Sequence, residues 1–250
     1  MTVTCSAPRG LEPTLALAER LAGSGFQVVP HVSARLIVDE DELAGIVGRL
    51  REHGITRVLV IAGDVREPAG VFAGAAPLLE ALARLDHGFE EIDVAGYPES
   101  HPFISDDATI EAMYEKEPHA THLVSQVCFD AETIGGWVQR VRRRGVSLPV
   151  YVGIPGVVDP LRLLRISRRI GVGESARFLG KHANWVARLL LPRTYRPDRL
   201  LAGLEPYATD PASRIEGLHV YTFNEVERTE RWRREAIAAL EVPQTSNVGA

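Results

Sequence analysis

Arg57-Val58-Leu59-Val60-Ile61-Ala62-Gly63-Asp64 is apolar from Val58 through Ala62, then stops at a glycine and a carboxylate. A strand with one wet face would alternate apolar and polar residues. An unbroken apolar run instead indicates burial on both faces, the condition of a parallel sheet covered by helices. Similar short runs recur at 2–5, 26–30, 91–95, 121–126, 149–153 and 217–221, with helix-length segments between them. That rhythm requires helical crossovers between parallel strands.

The intervening helices are legible from their spacing. Leu15, Leu17, Ala18, Leu21 and Ala22 form one stripe before Gly23, and Leu43, Ile46, Val47 and Leu50 form another before Gly54. Each glycine is read as a left-handed C-terminal cap. Further helices are predicted over 75–86, 106–117, 131–144, 159–170, 174–190 and 224–240. The repeat, about 30 residues per βα unit, predicts a (β/α)8 TIM barrel, incomplete because only seven strands are recognisable. No composition shift marks a linker, so residues 1–240 are read as one domain and 241–250 as a frayed tail.

The composition narrows the function. The 250 residues carry a net charge of -5, which argues against a general nucleic-acid surface. The basic runs Arg140 to Arg144, Arg165 to Arg169 and Arg228 to Arg234 are read as solvated helix faces. Gly171-Val-Gly173 lacks the Gly-Lys-Ser/Thr chemistry of a phosphate loop and is read as a turn. Cys5 and Cys128 make no disulfide framework and are read as buried strand residues. Neither a signal peptide nor an apolar stretch of the ~20 residues that span a bilayer is present. The expectation is a cytoplasmic protein with no membrane partner and no metal.

In a barrel of this kind, polar residues just beyond the strands line the active site. They are, in chain order, Thr4 to Ser6; His31 and Ser33; Gly63 and Asp64; Tyr97, Glu99 and His101; Gln126 and Asp130; Gly153 to Gly156; and Tyr221, Thr222 and Asn224. The fourth group lies in Tyr97-Pro-Glu-Ser-His-Pro102, whose two prolines restrict the backbone as a binding loop needs.

Val29-Pro-His-Val-Ser33, Ile61-Ala-Gly-Asp64, Gly96-Tyr-Pro-Glu-Ser-His-Pro102, Ser125-Gln-Val-Cys-Phe-Asp130, Gly153-Ile-Pro-Gly156 and His219-Val-Tyr-Thr-Phe-Asn224 stand in order at strand spacing. Together, over roughly residues 2–235, the sequence resembles the methylenetetrahydrofolate reductase family. The resemblance implies a flavin-dependent oxidoreductase in which NADH or NADPH reduces FAD, and hydride then passes to the methylene carbon of a folate substrate. It implies that Asp64 is catalytic, favouring the cationic iminium form of the substrate beside the flavin. Gln126 would hydrogen-bond the pterin, with Tyr221 near the folate. Thr4, His31, Gly63, Asp64, Tyr97 and His101 would contact the flavin, and Lys116 its phosphates. Without the resemblance, Asp64 also reads as a cap of the next helix, the histidines as structural imidazoles, Gln126 as a loop tie and Lys116 as an exposed helix lysine.

The sequence also departs from the family. It opens at what corresponds to the family's second strand, so the recognisable strands are two to eight. The first strand's glutamate, the general acid of ring opening, has no counterpart. Either an upstream segment of roughly 40 residues is missing, or the barrel has diverged and lost the acid. Unpaired edges would then invite partner strands, a homo-oligomer or aggregation. Ala62 replaces an arginine common before Gly-Asp, and Glu225 replaces a basic residue suited to a glutamate tail. Segment 174–200 has no family counterpart. Two rival functions remain: a catalytically silent folate- or flavin-binding barrel, and a one-carbon transferase without flavin.

Overall fold

The computed structural model describes residues 1–99, 105–159 and 195–241. Its sheet contains β1 (Thr2–Val3), β2 (Val29–Ser33), β3 (Arg57–Ile61), β4 (Glu91–Gly96), β5 (His122–Ser125), β6 (Val150–Pro155) and β7 (Ile215–Tyr221). Each strand pairs in parallel with its neighbour in sequence, in the order β1 to β7. The crossovers carry α1 (Glu12–Gly23), α2 (Glu40–Glu52), α3 (Ala75–Ala83), α4 (Asp106–Lys116), α5 (Ala131–Arg143) and α6 (Asp198–Ala208), and α7 (Val226–Glu241) follows β7.

One face of the sheet packs on the helices. Val58, Val60, Val94, Leu123 and Val152 join a single apolar cluster with Leu43, Leu50, Leu78 and Trp137. The other face is concave, since His219 of β7 lies near enough to His31 of β2 to act on its titration, as the Met1 ammonium acts on His219. The architecture is an incomplete (β/α)8 barrel, and among the described residues no ladder joins β7 to β1.

Local chemistry explains where the helices begin. Asp39 accepts the Glu42 N–H (2.9 Å) while Glu42 accepts the Val38 N–H (2.6 Å), a reciprocal cap on α2. Ser105 caps α4 through the Ala108 N–H, and Asp130 caps α5 through the Thr133 N–H. After α1 the left-handed residue is Gly25 (φ 85°) rather than Gly23, whereas Gly54 (φ 66°) follows α2 as expected.

The structure moves some of the predicted elements. β2 runs over 29–33 instead of 26–30, passing through Pro30. Its ladder to β3 starts only at His31, so the proline's missing N–H falls outside that pairing. Phe26, expected in the strand, is 51% exposed. Helix α6 was not expected. Its proline, Pro206, lies in the last turn, and Leu200 and Leu204 bury its inner face. The predicted helices 159–170 and 174–190 fall, apart from residue 159, outside the described residues, as do the basic run 165–169 and the turn at 171–173. Arg142, expected on a solvated face, instead donates to the carbonyls of Ser213 (2.9 and 3.0 Å) and Val146 (2.8 Å), tying α5 to the approach of β7.

Ser125 joins three strands. It is fully buried, its hydroxyl accepts the Gly153 N–H (2.7 Å), and its carbonyl accepts the Tyr221 hydroxyl (3.1 Å). A Cβ on Gly153 would lie 2.2 Å from that carbonyl oxygen. Gly153→Ala is therefore expected to lower stability by about 1–3 kcal/mol, the usual cost of overpacking. Urea unfolding measures this, and an unchanged midpoint would contradict the described fit of β5 against β6.

Candidate functional site

The carboxyl ends of the strands lie at one mouth of the barrel, because every strand runs the same way. Asp64 follows β3 in a loop that Arg35 clamps from the end of β2. The Arg35 guanidinium donates to Ala73 O (2.8 Å) and Val65 O (3.2 Å), and its backbone N–H donates to Ala62 O (3.0 Å). Gly63 turns the chain at φ 93°, and a Cβ there would meet Ser33 Oγ at 2.0 Å. The turn leaves Asp64 exposed, without a hydrogen bond or ion pair among the described residues. The cap reading of Asp64 fails, since α3 starts at Ala75 behind Gly74.

Cys5 and Tyr97 stand near that carboxylate, and Tyr221 stands near Tyr97. Burial pushes the Tyr97 phenol up, and the Asp64 charge pushes it further, so the two lie within electrostatic reach. Burial likewise raises Tyr221, with Tyr97 adding to the effect. Both phenols are thus held as neutral donors at physiological pH. Burial also raises the Cys5 thiol, as does the Asp64 charge, against hydrogen bonds that lower it. Tyr221 packs edge-on to His219 (4.7 Å between ring centroids) and stacks on Phe223 (6.2 Å). Phe223 and Asn224 both take positive φ (49° and 64°), turning the chain sharply after β7.

Deeper in the barrel His31 is 7% exposed, and its Nε2 has no hydrogen-bond partner. Burial, then the neighbouring His219, depresses it to about 3. His219 falls to about 4 through burial and the Met1 ammonium. The interior thus holds two neutral imidazoles, and His219 stands in the closing-strand motif, to which the resemblance assigns a role only at Tyr221. Its two-residue spacing from Tyr221, which puts both rings on one strand face, was the available signal.

Gln126 leaves β5 with its backbone N–H on Gly96 O (2.7 Å), while its half-buried side-chain amide bonds to no described residue. Thr4 is exposed just past β1, its carbonyl accepting the Thr14 hydroxyl (3.4 Å). Asp64, Gly63, Tyr97, Gln126, Tyr221, Thr4 and His31 therefore share the concave face or its carboxyl-terminal mouth, and His101 lies outside the described residues. Lys116 does not join them. It ends α4, which runs back toward the start of β5, so it stands at the opposite end of the sheet. There burial lowers its pKa, and the exposed-lysine reading fails as well.

Among the described residues no cluster of metal ligands stands at this mouth, and the uncommitted Asp64, Gln126 and His31 Nε2 suit an organic ligand offering both donors and acceptors. Comparison with known proteins bears on which one. The family model for methylenetetrahydrofolate reductase matches residues 5–173. Methylenetetrahydrofolate reductase 1 of Schizosaccharomyces pombe is 29% identical over 139 residues, 52% of this chain and 23% of that protein. Methylenetetrahydrofolate reductase (NADH) 1 of Arabidopsis thaliana is 26% identical over 192 residues, 69% of this chain and 29% of that protein. The chain thus spans less than a third of the length of these two relatives. A solved structure, DHDPS from Cyanidioschyzon merolae with lysine bound, covers 94% of this chain and 81% of its own at 15% identity and a TM-score of 0.36. The fold assignment rests on strand order and register, not on that likeness.

The buried histidines predict how stability depends on pH. An unfolded histidine titrates near its ordinary 6.5, whereas folded His31 titrates near 3. Between these values the unfolded chain binds the extra proton, so stability is full above pH 6.5 and falls on acidification, by about 1.4 kcal/mol per pH unit for His31 alone. Replacing it, as in His31→Leu, should flatten the slope between pH 4 and 6 in chemical denaturation. An equally steep slope would place the titration elsewhere.

Proposed function

The chain belongs to the methylenetetrahydrofolate reductase family, and from that premise we propose that it reduces methylenetetrahydrofolate to methyltetrahydrofolate, with FAD as bound cofactor and NADH or NADPH as reductant. The observation that carries the reading is the pair of uncommitted side chains, Asp64 after β3 and Gln126 after β5, both at one mouth and both inside the matched span.

The residues present fit a flavin. His31 offers an orphaned buried Nε2, Gly63 leaves no side chain in the turn, and Tyr97 and Thr4 flank the same opening. These groups, with His101, would hold the cofactor. When bound, FAD would supply the hydride received from the nicotinamide.

The remaining work falls to this chain's side chains. Asp64 provides a carboxylate whose charge favours the iminium cation of the substrate over its neutral ring form. Gln126 presents an amide that can both donate to and accept from a pterin edge. Tyr221, anchored on Ser125 O and stacked on Phe223, forms an aromatic wall beside it. Lys116 is left out of the site because of its placement at the far end of the sheet.

The second reading, a folate- or flavin-binding barrel without turnover, draws on the carboxylates at this mouth. Asp130 is spent on the Thr133 N–H and hydroxyl, and Glu99 is engaged by the Cys128 thiol. That leaves Asp64 as the one uncommitted carboxylate among these three, with no second one of them to protonate the substrate nitrogen.

Purified protein with flavin absorbance and NAD(P)H-linked reduction of methylenetetrahydrofolate is the expected result. In Asp64→Asn turnover should fall by about 100-fold or more, with the flavin still bound. Unchanged turnover would remove Asp64 from the chemistry. A colourless protein that binds tetrahydrofolates would favour the silent barrel.

A further inference from the structure

The opposite mouth of the barrel, at the amino ends of the strands, holds a second polar cluster. Glu91 and Asp93 project from β4, His122 from β5 and Glu216 from β7, and Arg57 of β3 pairs with Glu91. Tyr151 packs against the imidazole at 5.1 Å. His122 Nδ1 stands 3.5 Å from Asp93 Oδ1 and 3.7 Å from Glu91 Oε2, and donor atoms of all three residues lie within 4.8 Å of one another. Asp93 is 8% exposed, and its Oδ1 has no hydrogen-bond partner.

We propose that this cluster is a binding site for one divalent transition-metal ion of the zinc class, ligated by His122 Nδ1, Asp93 Oδ1 and Glu91 Oε2, with a fourth position open to water. It is independent of the reductase reading, and goes against the expectation from sequence that the protein takes no metal.

The spacings carry the argument. Bonds of about 2.1 Å in tetrahedral geometry separate neighbouring donor atoms by about 3.4 Å. The 3.5 and 3.7 Å separations seen here match that edge. They are too long for a strong hydrogen bond. The hydrogen bonds around the ring allow that role. Thr121 Oγ1 lies 3.0 Å from Nδ1 and accepts the Ile92 N–H (2.9 Å), and its own proton can go to Ile92 O (3.1 Å) or to the Nδ1 lone pair. Nε2 faces Glu216 Oε2 at 3.5 Å. A proton on Nε2 directed at that carboxylate leaves the Nδ1 lone pair facing two carboxylate oxygens, the carboxylate–histidine–metal arrangement.

Charge completes the case. Glu91, Asp93 and Glu216 bring three carboxylates against one guanidinium, Arg57, and the buried Asp93 Oδ1 has only its 3.5 Å contact with His122 Nδ1 to offset the cost of burial. A divalent ion would balance the remaining two charges. Because Arg57 engages Glu91 Oε2, Glu91 is the weakest of the three ligands.

The test is equilibrium dialysis of the full chain, stripped with chelator, against micromolar Zn²⁺, with Co²⁺ as spectroscopic probe. One zinc per chain and the visible bands of tetrahedral cobalt are expected. Asp93→Asn and His122→Phe should bind at least about tenfold more weakly, and Glu216→Gln about tenfold. The exposed His53→Asn, on α2's C-terminal cap, should bind as the parent does. Binding below a tenth of an equivalent, or parental affinity in Asp93→Asn and His122→Phe, would overturn the assignment in favour of an imidazolium held by carboxylates. If those two variants fail to fold by circular dichroism, Glu216→Gln and the parent's cobalt spectrum decide in their place.

Discussion

Ser125 is the junction on which the rest of the structure depends. Its hydroxyl and carbonyl join β6 and β7 to β5 at the level where the strands end, and Gln126 leaves the sheet one residue later. The direction taken by the Gln126 amide, the position of the Tyr221 ring and the spacing of Gly153 are therefore one geometric problem. A buried polar group with all its bonds made fixes a single arrangement of its neighbours more sharply than apolar packing does. The candidate site inherits its order from that junction, whereas Asp64 across the mouth is held separately, by the Arg35 clamp on its loop.

The concave face is unusual in its polarity. The helix-covered face carries the aliphatic strand residues, yet the inner face carries His31, Asp93, His122, His219 and three tyrosines, Tyr97, Tyr151 and Tyr221. Toward the carboxyl-terminal mouth, burial lowers the His31 and His219 imidazoles and raises the Tyr97 and Tyr221 phenols, so these four groups tend toward neutrality. Uncharged donors and acceptors are what a ring system such as a flavin or a pterin requires for orientation. At the far mouth, by contrast, charge is concentrated.

How much of this could be read from sequence depended on whether a signal was local. The run Val58 to Ala62 declared a doubly covered strand because burial on both faces leaves a continuous apolar imprint. Asp64 and Gln126 were found because they follow such strands directly. Pro30 misplaced β2 because a proline's missing N–H matters only on the side where a ladder needs it, which sequence does not disclose. Pro206 concealed α6 in the same way, since a proline in the final turn sacrifices little. Lys116 came from the resemblance alone, which does not disclose that a helix returning between parallel strands carries its last residues to the other end of the sheet. Asp93 and His122 were missed because only residues after the strands were considered, and their proximity arises from the β4–β5 register.

Strand order has a consequence for how the chain acquires its structure. Every strand hydrogen-bonds to the strand immediately before or after it in sequence, with no strand inserted between neighbours later in the chain. Each βα unit can dock on the one preceding it as it emerges during synthesis, and no early strand must wait exposed for a distant partner. Such ordered addition keeps the entropy of loop closure small at every step. The growing edge is always the newest strand, so the surface vulnerable to mispairing moves along with the ribosome and reaches β7, the last of the described strands, where Leu218 is 41% exposed.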